Sequence, residues 1–273
     1  MSIQKYASGH ELIVVDNGST DGSADGLQQL LPHLNLVRLE GNYGFGVANN
    51  RGAERATGGY LFFLNNDTLL NSDSPSKLAS YLEDHSTIGA CGPRLLNEDG
   101  SIQPSHGLDP SLWNEWKMRG MQRKRWGSAP ANVETRLDHP DWLTGAALMV
   151  RRELFKSING FDENFFMYFE DADLCRRIRS AGYGIAVVPE VSIVHLKGKT
   201  VDRNFVEIAV QYRRSQMYYY QKHGSVPSRM LLKLYLIMKY CIRWIFSSKS
   251  FRQSNEIVPI LKLVICGRKR QSG

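Results

Sequence analysis

Leu12-Ile13-Val14-Val15-Asp16-Asn17-Gly18-Ser19-Thr20-Asp21-Gly22-Ser23 decides how the rest of the chain is read. Its four leading residues are apolar without interruption, whereas a half-exposed strand would alternate, so they predict a strand buried on both faces. The Asx-, Gly- and Ser-rich run that follows is turn chemistry. It leads into a helix expected from about Ala24 to Leu31.

The same pattern continues outward. Leu36 to Leu39 predicts a second strand, Gly44 to Ala56 a helix with small residues on one side, and Tyr60 to Leu64 a third, wholly apolar strand. Such alternation predicts an α/β domain whose mostly parallel sheet carries flanking helices on both faces. Ligands of such sheets sit at the carboxyl ends of strands, which is where Asp16 and the Asn65-Asn66-Asp67 turn fall. Farther on, Asp73 to Asp84 reads as a helix and Ile88 to Gly92 as a strand, and Asn97-Glu98-Asp99-Gly100 as a turn between two short strands. Pro104 to Pro140 is irregular and reads as a mobile loop. Trp142 to Val150 is expected as one strand, Asp171 to Ala181 as a helix and Ile185 to Val188 as a strand. After Asn204 the chain reads as helical to its end, with a break near Gly224 to Pro227.

At 273 residues, 42% apolar and 22% charged, the chain suits one large folded domain or one domain with an appendage. Cys91, Cys175, Cys241 and Cys266 are scattered, without a CxxC pair. That spacing suits neither a zinc site nor a disulfide framework and favours a reducing compartment. Met1 to His10 is polar, so no signal peptide is expected, and the expected location is cytoplasmic. The net charge of +7 gathers at Arg119 to Arg125 and again after Lys233, there among aliphatic and aromatic residues. This distribution favours a membrane surface, and no nucleic-acid-binding motif is evident.

Four places carry chemistry. Asp16 ends an apolar strand and either accepts hydrogen bonds from a base or ribose or caps its own turn. Asn42-Tyr43-Gly44-Phe45-Gly46 has the glycines of a close-approach loop without being a Walker or dinucleotide fingerprint. Asp67 can hold a divalent cation against a diphosphate, with Asn65 adding a neutral oxygen; the plainer reading is a strand-ending turn. Glu170, Asp171 and Asp173 crowd three carboxylates into four positions. Crowded like charges raise one another's proton affinity unless a cation or a proton-transfer task uses them. The plainer reading, that they complement a helix dipole or pair with Arg176 and Arg177, explains one or two of them and not three. His195 follows the apolar run Val191 to Val194 and could give a metal its nitrogen ligand.

Taken in order, these pieces resemble a known family. The chain is similar to inverting glycosyltransferases of family 2 with the GT-A (Rossmann-like) fold, nearest to rhamnosyltransferase-like members. The likeness rests on Val14 to Gly22, Asn42 to Gly46 continuing through Ala48 to Gly52, Leu64 to Asp67, Thr144-Gly145-Ala146, Gly160-Phe161-Asp162, Phe169 to Asp173 and His195 to Thr200. It implies a nucleoside-diphosphate sugar site at Asp16, Asn17, Gly44, Asn49, Asn65, Asn66 and Asp67, with dTDP-L-rhamnose favoured and UDP-sugars open. It implies Mg2+ or Mn2+ at Asp67 and His195, with Asn65 standing where a metal-binding Asp is usual. Asp171 is implied as the general base, with Glu170 beside it, and Trp142, Gly145 and Phe169 as the acceptor side. The implied acceptor is a hydroxyl of a glycan or lipid-linked molecule in bacterial surface polysaccharide synthesis.

One departure stands out. The family's sheet normally opens with a strand that this chain lacks, so the expectation is a GT-A domain over 1–203 without its first strand and a C-terminal helical region over 204–273. A rival expectation is a catalytically impaired relative that binds sugar nucleotides or acts as a scaffold subunit. A nucleotidyltransferase, which shares α/β architecture, is a lesser rival. In Met230 to Phe246, Lys233, Lys239 and Arg243 fall within an arc of roughly 120° of a helical wheel. That pattern predicts either a helix lying on the inner face of the cytoplasmic membrane or one packed on the catalytic domain.

Overall fold

The apolar run forms β1 (Ile13–Asp16), and the turn beyond it opens α2 (Ser23–Leu30); the short α1 (Ser2–Tyr6) comes before them. This computed structural model describes residues 2–114, 140–196, 205–246 and 251–266. The basic cluster 119–125, most of the expected loop and residues 197–200 of the last family motif lie outside the described residues. The chain continues with β2 (Asn35–Arg38), α3 (Phe45–Arg55), β3 (Tyr60–Leu64), β4 (Thr68–Leu70) and α4 (Ser74–Asp84). Asp73 caps α4 by accepting from the Ser76 N–H at 3.2 Å, with Pro75 in the first turn, as an N-terminus prefers.

Next come β5 (Ile88–Leu96), β6 (Ile102–Gln103), β7 (His106–Gly107), β8 (Trp142–Leu143) and β9 (Ala147–Arg151). The single strand expected over Trp142 to Val150 is therefore two. The chain bends at Thr144–Ala146 because the amide hydrogens of that turn serve other partners: Thr144 N–H bonds the Ser105 carbonyl and Gly145 N–H the carboxylate of Asp171. After α5 (Arg152–Ser157), the acidic motif opens α6 (Glu170–Ser180) and the chain enters the long β10 (Gly184–His195). Three helices close it: α7 (Phe205–His223), α8 (Val226–Phe246) and α9 (Phe251–Cys266).

The α/β architecture is as expected, but the main sheet is mixed rather than mostly parallel. Its order is β3-β9-β5-β10-β4, with β6 beside β5. In that sheet only β5 and β10 pair in parallel; β9 is antiparallel to both β3 and β5, and β4 to β10. The cause is where the chain re-enters. After β5 it leaves at that strand's carboxyl end and returns as β9 from the same end, which fixes the opposite direction. β4 likewise begins in the turn that ends β3.

β1 and β2 form a separate parallel ladder. Glu11 ties it to the approach of β3 by accepting from Thr57 N–H and Oγ1–H at 2.8 and 3.1 Å. α3 covers both parts. A Cβ at Gly52 would stand 3.0 Å from Val15, while Ala53 and Ala56 pack on the main core. That core includes Phe63, Phe155 and Phe161 with ring centroids 5.0–5.6 Å apart. A second core joins Phe165, Phe169 and Ala172 to Tyr219, Leu232, Leu236 and Tyr240, so α7 and α8 pack directly beside the acidic helix.

Candidate active site

The loop after β2 is built around side-chain amides. Asn17 Oδ1 accepts from Tyr43 N–H at 2.9 Å, and its Nδ2 donates to Asn42 Oδ1 and to the Gly44 carbonyl. Asn42 Oδ1 also accepts from Gly44 N–H. Gly44 is left-handed (φ 92°), and a Cβ there would collide with the Phe166 carbonyl, so no other residue fits. Phe45 N–H then donates to that same carbonyl at 2.9 Å. Asp16 Oδ1 accepts from Ser19 N–H at 2.9 Å, so the capping reading holds for that oxygen. Asn49 donates to the Phe45 carbonyl within its own helix.

The Asn65–Asp67 turn is held on two sides. Asn65 N–H donates to the Ala146 carbonyl and Leu196 N–H to the Asp67 carbonyl, both at 2.9 Å. Asn66 is exposed. The second contact carries the end of β10 to the turn, and His195 Nε2 lies 3.2 Å from Asp67 Oδ1. The two residues are 128 apart in sequence, and the fold brings them together as the resemblance implied.

A residue that sequence reading passed over fixes this histidine. Buried Gln103 on β6 places Oε1 2.7 Å from His195 Nδ1, while its Nε2 donates to Asn97 Oδ1 and to the His195 carbonyl. With the amide so oriented Nδ1 is the donor, and in the neutral imidazole Nε2 then turns its lone pair toward Asp67. Two acceptors at 3.2 Å repel unless a proton or a cation shares them. This nitrogen–oxygen pair with an oriented imidazole fits a divalent ion. No group of three or more ligating His, Cys, Asp or Glu side chains occurs among the described residues, so other ligands would come from a bound diphosphate and water.

The three acids of α6 separate into three roles. Asp173 is fully buried and neutralised: His223 Nε2, Lys222 Nζ and Arg177 Nε each lie 2.7 Å away. Burial alone would raise this carboxyl, but the His223 hydrogen bond, the Arg177 charge and Lys222 outweigh it and hold it below its ordinary value. The pairing expected with Arg177 is present, while Arg176 instead joins Asp109 at 2.7 Å. Among the described residues Asp171 has backbone partners only: Gly145 N–H at 3.2 Å and Ala172 N–H at 2.8 Å. Burial raises its proton affinity, and those amides offset part of the rise. Glu170 is almost fully buried, its Oε2 without a hydrogen-bond partner among the described residues. Burial first, and the Asp171 charge second, push it up to about 8. The backbone leading into these acids is strained, since Tyr168 and Phe169 both have φ near +70°; each such residue costs about 1–3 kcal/mol.

Glu170 therefore costs stability at neutral pH. Its folded-state pKa lies above the unfolded value, so the native state is favoured below about pH 4.5 and loses that advantage as pH rises toward 8. Glu170→Gln is expected to raise Tm at pH 7–8 and to flatten the slope of Tm between pH 5 and 8. Equal Tm values for both proteins across that range would contradict a protonated Glu170.

The expected acceptor-side residues adjoin Asp171 unequally. Gly145 is beside it, and a Cβ on Gly145 would also stand 3.0 Å from the Phe45 ring, which brings the glycine loop next to Asp171. Trp142 donates from Nε1 to the Leu108 carbonyl and packs between the two cores. Phe169 is core, its ring 5.2 Å from Tyr212 and 5.6 Å from Tyr219. Asp109, Lys222 and His223 were not singled out from sequence, and Asp162 appeared there only as part of the Gly160-Phe161-Asp162 motif. The charged partners Asp109–Arg176, Asp162–Lys222 and Asp173–His223 are each 50 or more residues apart, and no local pattern announces those pairs.

Comparison with known proteins identifies the family and the fold. The family described as "Glycosyl transferase family 2" matches residues 2–158, and "N-terminal domain of galactosyltransferase" matches 129–199. An N-acetylglucosaminyl-diphospho-decaprenol L-rhamnosyltransferase of Mycobacterium tuberculosis is 29% identical over 244 residues, covering 81% of this chain and 79% of its own. The rhamnosyltransferase WbbL of Escherichia coli is 28% identical over 183 residues, 62% of this chain and 67% of its own. Among solved structures, the mannosyltransferase PcManGT of Pyrobaculum calidifontis with GDP-Man and Mn2+ superposes at a TM-score of 0.52 and 16% identity, over 94% of this chain and 79% of that one. TarS of S. aureus does so at 0.53 and 17%, over 97% and 49%. At such identities the structures attest the fold, which is GT-A, and the sequence match over more than half of the chain places it in glycosyltransferase family 2.

Proposed function

We propose that this glycosyltransferase moves L-rhamnose from dTDP-L-rhamnose, with inversion, to a hydroxyl of a lipid-linked acceptor during cell-surface glycan synthesis. The observation that carries the reading is the placement of Asp171, held by Gly145 N–H one residue from the Ala146 carbonyl that holds the Asn65–Asp67 turn. The rhamnosyltransferase relatives support the sugar, and the decaprenol-linked substrate of one of them supports the acceptor class.

In this reading Asp171 takes the acceptor's proton as its oxygen attacks the anomeric carbon. The bond from that carbon to the diphosphate breaks, and dTDP leaves. Asp67 and His195 would hold Mg2+ or Mn2+, which when bound neutralises the departing diphosphate. Asp16 retains an oxygen without a hydrogen bond among the described residues and offers it to the base or ribose. Asn17 and Gly44 shape the loop against the donor. Glu170, pushed up by burial and by the Asp171 charge, carries its proton near neutral pH and adds no second negative charge beside Asp171.

Two measurements test this. With Mn2+, dTDP is expected to raise Tm more than UDP does, since a ligand of the native state stabilises by about 2.7 kcal/mol at a hundredfold excess over Kd. A product whose anomeric configuration is opposite to the donor's would support inversion; retention would refute it. A folded chain that no nucleotide stabilises would favour the scaffold alternative. Gln103→Met tests the metal pair separately: freed of its tautomer lock, His195 is expected to bind Mn2+ about 10–100-fold more weakly, read by titration calorimetry without any sugar.

Membrane contact belongs to the same reading. No helix among the described residues is long and apolar enough to cross a bilayer. α8 packs inward through Leu232, Leu236 and Tyr240, so the expected domain packing is present on one side. Its opposite side exposes Met230, Leu234, Met238, Ile242 and Ile245. The expected basic stripe is largely engaged: Arg243 pairs with Glu256 at 2.8 Å, and Lys239 lies over the Tyr235 and Tyr240 rings. The outward face is therefore apolar, the arrangement of a helix lying in a membrane interface.

A further inference from the structure

A cavity of about 320 Å³ opens where α7, α8 and α9 meet, away from the candidate active site. Its walls include Met217, Leu232 and Leu263, and three cations, Arg214, Arg229 and Lys233, with no carboxylate in the lining. None of the three forms an ion pair among the described residues. Arg229 Nε donates to the Gly224 carbonyl, but Arg214 Nε is buried without any hydrogen-bond partner among the described residues. A guanidinium N–H buried in that way costs stability until an acceptor reaches it. Arg229 and Lys233 are one turn apart on α8, and their immediate neighbours Met230 and Leu234 belong to its exposed apolar face. Cations and apolar surface thus adjoin, and a ligand that answers both is an amphiphile with an anionic head.

We propose that this cavity binds the phosphate headgroup of an anionic membrane lipid, whose acyl chains cover the apolar face of α8. Guanidinium groups suit phosphate oxygens, and basic residues beside an apolar helix face add electrostatic attraction to apolar burial. The site rests on the membrane placement above but needs no sugar transfer, so its failure is readable apart from that of the reaction.

The test is flotation of the full chain with vesicles of phosphatidylcholine alone or of phosphatidylcholine and phosphatidylglycerol at three to one. The wild-type chain is expected to float with the anionic vesicles more strongly than with the neutral ones. Replacing Arg214, Arg229 and Lys233 together by Gln is expected to weaken anionic-vesicle binding by about 100-fold while leaving neutral-vesicle binding unchanged. Lys233→Gln alone, at an exposed position, is expected to lose about fivefold and keeps the test decisive should the triple variant misfold. Leu234→Ser with Met238→Ser is expected to weaken both kinds of binding. Equal flotation of the wild-type and Lys233→Gln proteins, or equal binding to both vesicle types, would overturn the site. So would a Tm rise with millimolar inorganic phosphate in a chain that ignores vesicles, since the ligand would then be soluble. A wild-type dimer by light scattering that fails to float would assign the face to a second copy instead.

Discussion

Asp171→Asn is expected to lower kcat by about 10²–10⁴-fold, the range a positioned general base supplies. Asn keeps the shape but can accept only one of the two bonds that place the carboxyl, because Gly145 N–H and Ala172 N–H reach different oxygens and one of them would face the amide NH2. It cannot take a proton from an acceptor hydroxyl. Nucleotide affinity should stay close to that of the wild type, because the donor loops are anchored elsewhere, through Asn17, Asn42 and the Phe166 carbonyl. Single-turnover transfer gives the rate, and a thermal shift with dTDP and Mn2+ gives the binding. A variant that transfers at near wild-type rates would remove Asp171 from the role of base. The profile of kcat against pH should rise with a midpoint above that of an ordinary Asp, since burial lifts this carboxyl and it must be ionised to act.

Asp173→Ala should produce the largest stability loss, about 3–5 kcal/mol, the cost of removing one partner from a buried ion network. It would leave Lys222, His223 and Arg177 around a cavity with no anion at its centre. Lys222 would retain Asp162, also at 2.7 Å, so the end of α7 should stay attached while losing rigidity. The denaturant midpoint reads this directly, provided the slope is unchanged. A loss below 1 kcal/mol would mean that the network only breaks even. Because the folded-state pKa of Asp173 lies below the unfolded value, its contribution is present above about pH 4 and disappears as pH falls through the folded-state pKa. Asp162 behaves alike. Burial opposes its ionisation, but Lys222 and Asn164 lower its pKa to about 2. Acid should therefore loosen the C-terminal helices from α6.

What could be read from sequence was what neighbours decide. The apolar run at 12–15, the strand at 60–64 and the helices on either side of β3 follow from local periodicity, and their observed ends differ from expectation by a residue or so. Strand direction beyond β5 depends on which end of the sheet the chain re-enters, and nothing in Ala147–Arg151 records that. The acids of α6 show the same limit. Arg177 is four residues from Asp173 and was foreseeable. Lys222 and His223 are about 50 residues away, and they mark Asp173 as structural, so that Asp171 is the acid left facing Gly145. Gln103 was missed because one buried glutamine in a two-residue strand has no pattern to belong to.

Gly145 and Ala146 act as a ruler. One gives its N–H to Asp171 and the other its carbonyl to the turn that carries Asp67, so covalent geometry, with consecutive Cα atoms about 3.8 Å apart, gauges the spacing between the two anchor points that hold the proposed base and the proposed diphosphate site. Side chains around the site can then change to admit another sugar or another alcohol without resetting that interval. A scaffold of this kind lets substrate choice drift while the reaction stays the same.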